Sequence, residues 1–217
     1  MKMTYYLEVL SSWCYWAEPA WAELKRRYAN KVDFQWKIAH MPPEACPKSK
    51  AQAEWFYRRS GTIMRSPFML NANWWEPGMG PYQVPSLVAE AAKDFDVTDD
   101  GVRLALAHAA DREGKKVGRW EVSVDVAVKA AKLNRAKLMA HAKSAAVKRR
   151  TATSTAEFNA LQVDQRPTFL LENKIGDRAI FSGIARVEPL AAAIDAMLAD
   201  AAAYASYTAH HGAPPPG

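Results

Sequence analysis

Strand signals lie only at the two ends of this 217-residue sequence, and the long middle between them carries none that convinces. At the start, the apolar run Tyr5-Tyr6-Leu7-Glu8-Val9-Leu10 is followed by Trp21, Leu24 and Tyr28 at helical spacing after Pro19. Val32 to Ile38 then alternates with period two, which puts Val32, Phe34, Trp36 and Ile38 on one face. Strand, helix and strand make a βαβ unit, whose strands are expected to be parallel neighbours with a right-handed crossover. The sheet begun here needs strands from the far end of the chain to complete it.

Those strands are present. Thr168-Phe169-Leu170-Leu171-Glu172 is followed by a turn at Asn173-Lys174-Ile175-Gly176-Asp177, then by Ala179-Ile180-Phe181-Ser182-Gly183 and an Ala-rich helix over Val187–Ala203. The middle opens on Met41-Pro42-Pro43 and breaks at Pro67, Pro77, Gly78, Gly80, Pro81 and Pro85. Helical stretches include Val84–Phe95, Gly101–Glu113 and Trp120–Ala131. The expected class is α/β, with a βαβ half over 1–40, an all-helical insertion over 41–154, a ββα half over 155–203 and a flexible tail over 204–217.

Composition narrows the function classes. With 49% apolar residues the chain can bury a full core, and no apolar stretch approaches the roughly 18 residues a membrane span needs. Met1-Lys2-Met3-Thr4 runs straight into a strand pattern without a signal-peptide core, so a cytoplasmic location is expected and a membrane is not. Cys14 and Cys46 are the only cysteines, which excludes a disulfide framework and a Cys-rich zinc site; no metal is expected. Between Asp125 and Glu157 there is no acid, while Lys129, Lys132, Arg135, Lys137, Lys143, Lys148, Arg149 and Arg150 all fall there. This reads as a solvated helix face or an anion-binding patch. Without interleaved aromatics or a nucleic-acid motif, nucleic acid is not the expected partner.

The chemistry concentrates at Ser11-Ser12-Trp13-Cys14-Tyr15, between the first strand and the first helix. A helix N-terminus presents unpaired N–H groups and the positive end of the macrodipole, which favour a thiolate or another anion. A Cys-x-x-Cys at this place would be a redox pair. Here a hydroxyl stands first, and Ser11 also suits a plain helix cap.

The order βαβ, helical insertion, ββα is that of an interrupted thioredoxin fold, and Ser11-Ser12-Trp13-Cys14-Tyr15 resembles the Cys-Pro-Trp-Cys-Tyr motif of DsbA-like proteins of the FrnE type. Leu161 to Phe169, containing Arg166-Pro167-Thr168, resembles the segment that carries a cis-proline opposite the active-site turn. Arg112 to Val122 is similar to the family's helical domain. The resemblance implies two chemistries. Thiol-disulfide oxidoreductases use both cysteines, whereas kappa-class glutathione transferases and 2-hydroxychromene-2-carboxylate isomerases place a serine first and bind the sulfur of glutathione. Their usual Gly-x-Asp-Arg turn is replaced here by Gly183-Ile184-Ala185-Arg186, without the acid.

Three readings follow. In the first, the protein is an atypical oxidoreductase with Cys14 as redox sulfur, Ser11 beside it and Cys46 as a second thiol. In the second, Ser11 holds glutathione or another low-molecular-weight thiol for a transferase or isomerase acting on a small apolar, aromatic or anionic substrate. In the third, it is a binding protein that lost catalysis. Ser12, Trp13, Arg166 and Pro167 are expected to shape the site. An exposed Arg166 offers a bidentate anion site, or pairs with Asp164 or Glu172. His40 is a candidate for proton transfer, and Trp74 and Trp75, adjacent in a Pro/Gly-rich loop, for a lid. The partners expected are a small-molecule substrate or a thiol or disulfide, with a homodimer as a further assembly.

Overall fold

The computed structural model describes residues 1–78 and 82–213. The elements are β1 (Lys2–Leu7), α1 (Ser12–Arg27), β2 (Asp33–Ile38), α2 (Lys50–Ile63), α3 (Val84–Ala92), α4 (Gly101–Asp111), α5 (Trp120–Ala131), α6 (Arg135–Lys143), α7 (Ala145–Ala160), β3 (Thr168–Glu172), β4 (Arg178–Ser182) and α8 (Val187–His211). The strands form one sheet in the order β2-β1-β3-β4, with β1 parallel to β2 and the other pairs antiparallel. This is the thioredoxin-like fold, with five helices, α2 to α6, inserted before α7 returns to the sheet.

Both faces of the sheet are covered, which is why β1 reads as a continuous apolar run and not as an alternation. Met3, Tyr5 and Leu7 pack with Trp21 and Leu24 of α1 and with Phe169 and Leu171 of β3. Tyr5 stacks on Phe169 at 4.7 Å and meets Trp21 at 5.1 Å between ring centres. On the opposite face Tyr6 and Leu170 pack with Phe158 of α7 and with Ala39. α8 joins the first layer, where the Tyr28 hydroxyl donates to Asp195 at 2.8 Å.

A buried ionic group ties α1 to α4. Arg103 lies between Glu18 and Asp100, and Asp100 also accepts from Lys25 at 2.8 Å and Trp21 Nε1 at 3.1 Å. The burial cost of the guanidinium is met on both sides by carboxylates. The start of α4 is thereby fixed against the middle and C-terminal part of α1.

The structure departs from the sequence expectations at several boundaries. β1 ends at Leu7, so Glu8 to Leu10 belong to the turn. α7 continues through residue 154, where the insertion was expected to end, and α8 runs on to His211, past Ala203 and through most of the expected flexible tail. α6 and α7 escaped notice because each buries few residues: Leu138 and Ala142 in one, Val147, Thr151 and Phe158 in the other. The expected breaks at Gly80 and Pro81, and the end of the tail at 214–217, lie outside the described residues.

Candidate functional site

Ser11 caps α1 from an extended conformation, and its Oγ accepts the Cys14 N–H at 3.4 Å. The Tyr15 N–H donates to the Ser11 carbonyl at 2.9 Å, the first bond of the helix. Among the described residues, the N–H groups of Ser12 and Trp13 have no hydrogen-bond partner at this helix end. The Ser11 hydroxyl accepts from the Cys14 N–H and has a single proton to donate, which either the Cys14 sulfur or a ligand in the cavity can take.

Ser11, Ser12 and Trp13 form one wall of a cavity of about 350 Å³. Its opposite walls come from Asp164, Gln165 and Arg166 before the cis Arg166-Pro167 bond and from Phe56, Tyr57, Arg59 and Trp74 of the helical part. Gly183, at φ +76, lets β4 turn beside Gln165 while its N–H donates to the Pro167 carbonyl at 2.8 Å. A larger groove of about 960 Å³ runs along Tyr15, Trp16, Phe68, Leu104 and Val187, but Ser11 is not among its walls. Ser11, Ser12 and Trp13 line the smaller cavity and not the larger groove.

Cys14 points the other way. It is 3% exposed, packs in the main core and does not line the Ser11 cavity. Burial pushes its thiol up to about 11, against hydrogen bonds from Ser11 and the Glu8 backbone that favour the thiolate. Cys46 is also free and buried, in a separate cluster with Leu10, Trp16, Tyr57 and Trp74, and burial raises its thiol too. Neither cysteine forms a disulfide.

Arg166 corrects an expectation. It is neither exposed nor paired with Asp164 or Glu172 through their carboxylates: it is 9% exposed, and its fork donates to the carbonyls of Ala39 at 2.7 Å, His40 at 2.7 Å and Asp164 at 3.0 Å. Its guanidinium also stacks 4.0 Å over Phe158. Arg166 is a staple between the cis-proline segment and the end of β2. The cation left available at the cavity wall is Arg59, exposed and resting against Trp55 and Phe56, with no carboxylate within salt-bridge distance among the described residues.

Of the two adjacent tryptophans, Trp74 is a wall of the cavity and Trp75 is not. Trp74 is 1% exposed and donates Nε1–H to the Tyr57 hydroxyl at 2.6 Å; Trp75 donates to the Pro47 carbonyl at 3.1 Å and lies outside the cavity lining. His40 also lies outside it, its Nδ1 3.1 Å from Glu8 Oε2. Among the described residues no group of three or more His, Cys, Asp or Glu could hold a metal ion.

A family model, the DSBA-like thioredoxin domain, matches residues 2–195. The chain belongs to this family. Cytosolic disulfide reductase DsbM from Pseudomonas aeruginosa superposes with a TM-score of 0.71 at 16% identity, over 91% of this chain and 98% of that one. The same protein has been solved with GSH, again at a TM-score of 0.71 and 16% identity, over 91% and 99% of the two chains. 2-Hydroxychromene-2-carboxylate isomerase superposes at 0.62, with 14% identity over 94% of this chain and 99% of that one. No curated protein matches by sequence.

Within the DSBA-like frame, three residues went unnoticed in the sequence. Glu8 is buried behind the motif, where it contacts Ser86 Oγ, the Val9 N–H at 3.1 Å and the His40 ring. A carboxylate inside an apolar run just before the turn was its signal. Tyr57 donates to Asp111 Oδ1 at 2.7 Å, completing a chain from Asp111 to Trp74 at the cavity wall. Burial lifts the Asp111 carboxyl to about 7, and its Oδ2 has no partner. Nothing in the Ala-rich pattern of α4 distinguishes that aspartate.

Proposed function

We propose that this protein activates a low-molecular-weight thiol of the glutathione kind and uses the ligand's sulfur, not its own, as the nucleophile. The observation that carries this reading is the division of labour in the motif: Ser11 lines the cavity, whereas Cys14 is buried outside it. An ordinary thiol ionises near 8.5, so a bound thiol needs stabilisation of its anion to react at neutral pH. The Ser11 hydroxyl and the free N–H groups of Ser12 and Trp13 supply donors for that anion. Arg59 replaces Arg166 as the residue suited to an anionic end of thiol or substrate.

The substrate reading best matched to the aromatic walls is a small apolar or aromatic electrophile. The thiol proton leaves to solvent, and the thiolate adds to the β-carbon of an activated C=C bond, whose π pair moves to the acceptor end and takes up a proton from solvent when the adduct is kept, or returns when the thiolate is lost. Retention of the new C–S bond is a transfer; rotation in the adduct followed by loss of the thiolate is an isomerisation. A disulfide is the second substrate reading, favoured by the likeness to DsbM. There the bound thiolate attacks one sulfur, the S–S bond breaks, and a mixed disulfide and a free thiolate leave. A cytosolic setting suits both, since each needs a reduced thiol pool.

The deciding experiment titrates the protein with glutathione at neutral pH and follows ultraviolet thiolate absorbance, then turnover of an aromatic electrophile and of a small disulfide. Cys14→Ser is expected to keep the thiolate signal and turnover, and Ser11→Ala to lose both. The opposite pattern restores Cys14 as the redox sulfur. Absence of thiol binding and turnover in the unaltered protein sinks the proposal in favour of a non-catalytic binder.

A further inference from the structure

The acid-free basic stretch of the sequence comes to lie, in part, beside the open edge of the sheet. β2 is an edge strand. Asp33 and Ala39 donate their N–H groups to Met1 and Leu7 on the β1 side. By the alternation of a parallel ladder, the backbone groups of Phe34, Trp36 and Ile38 face outward. At one end this edge is closed by α7, where the Ser154 hydroxyl donates to the Ile38 carbonyl. From Phe34 to Trp36 it opens on a groove of about 850 Å³, where, among the described residues, the only bond to the outer edge is from Lys93 Nζ to the Trp36 carbonyl at 3.2 Å.

The walls of that groove are charged unequally. Lys37, Lys93, Arg149 and Arg150 line it against Glu90 and Glu157. The acids are shared out: Glu157 pairs with Lys37, and Glu90 pairs with both Lys93 and Arg150. Asp94, next to the groove, takes Arg150 as well at 2.9 Å. Arg149 is exposed and has no carboxylate within salt-bridge distance among the described residues. No residue is common to this groove and the Ser11 cavity.

We propose that this groove is a docking site for an extended acidic segment of a partner protein, which adds to the sheet along Phe34 and Trp36. An unpaired strand edge supplies main-chain donors and acceptors, and β-strand addition turns them into affinity that side-chain pockets make selective. The incoming backbone bonds the Phe34 N–H and C=O and the Trp36 N–H. Its carboxylates meet Arg149 and compete for Lys37 and Arg150. The residual positive charge steers acidic segments in and disfavours basic ones.

The test uses a fluorescein-labelled hexapeptide of alternating Glu and Val, with a Lys and Val counterpart, against the full-length protein. The acidic peptide is expected to bind, to weaken with salt, and to slow hydrogen exchange at the Phe34 and Trp36 amides. Arg149→Glu, at an exposed position, is expected to weaken it by about tenfold. Ser11→Ala is expected to leave it unchanged. Failure of the acidic peptide to bind, equal binding of the Lys peptide, indifference to Arg149→Glu, or protection at other amides overturns the proposal. Displacement of the peptide by an RNA oligonucleotide more tightly bound in the same groove overturns it in favour of nucleic acid.

Discussion

The Oγ of Ser11 accepts the backbone N–H of Cys14 at 3.4 Å, so the two positions that would share a disulfide in a dithiol motif are joined here as cap and capped turn. The side chains diverge from that bond. Ser11 reaches the cavity wall and Cys14 the core.

Capping and chemistry at Ser11 separate by substitution. Ser11→Ala is expected to lower stability by about 1 kcal/mol, and Ser11→Gly by only a few tenths. Both remove the hydroxyl, so both are expected to lose thiolate stabilisation. Thermal unfolding beside the glutathione titration checks this; retention of thiolate binding in Ser11→Gly would assign Ser11 to capping alone.

Cys14 is expected to resist alkylation in the folded protein at neutral pH and to react freely once unfolded. Its thiol, lifted to about 11 by burial, holds a proton that the unfolded chain releases at lower pH. The unfolded state therefore binds fewer protons in that window, and stability falls as pH rises from the ordinary thiol range toward 11. Cys14→Ala removes this contribution. Comparing denaturant unfolding of the two proteins at neutral and alkaline pH measures it, and an identical pH dependence would refute the buried thiol.

Asp111 gives a window nearer neutrality. Its carboxyl is raised by burial from the usual carboxylate range to about 7, so the folded state keeps a proton the unfolded state loses. Stability is expected to decline as pH rises from about 4 to 7 and to stay reduced above. Asp111→Asn cannot ionise, and its stability relative to the unaltered protein should climb across that window. A flat difference between the two would show that Asp111 is already ionised in the fold.

Arg166 and Arg59 both line the cavity, yet their loss should differ. Arg166→Ala leaves the Ala39 and His40 carbonyls without their charged donor and is expected to cost at least about 2 kcal/mol. Arg59→Ala, at an exposed site, is expected to change stability by less than about 0.5 kcal/mol. Urea unfolding of both variants decides; equal costs would contradict the staple.

Local pattern was sufficient for the strands and for much of the helix count. Thr168–Glu172 and Trp120–Ala131 fall where the pattern placed them, because the strand is a short run buried on both faces, the helix buries Ser123, Val124 and Ala127 at helical spacing, and each stops at a turn residue or a left-handed one, as at Lys132. The thiol motif, the cis bond at Arg166-Pro167 and the interrupted thioredoxin order were also legible. α7 was not, since a helix that buries few residues leaves little periodicity to read.

What the sequence determined by itself was the list of parts: a serine for the first cysteine, a cap, a pre-proline arginine, a pair of tryptophans. Which way each side chain faces was decided by tertiary structure. Arg166 became a staple because the end of β2 presents two carbonyls to it, and Cys14 became a buried thiol because β1, α1 and α4 close around it. Direction depends on neighbours distant in the chain, and burial sets both the charge and the reach of every polar group it encloses.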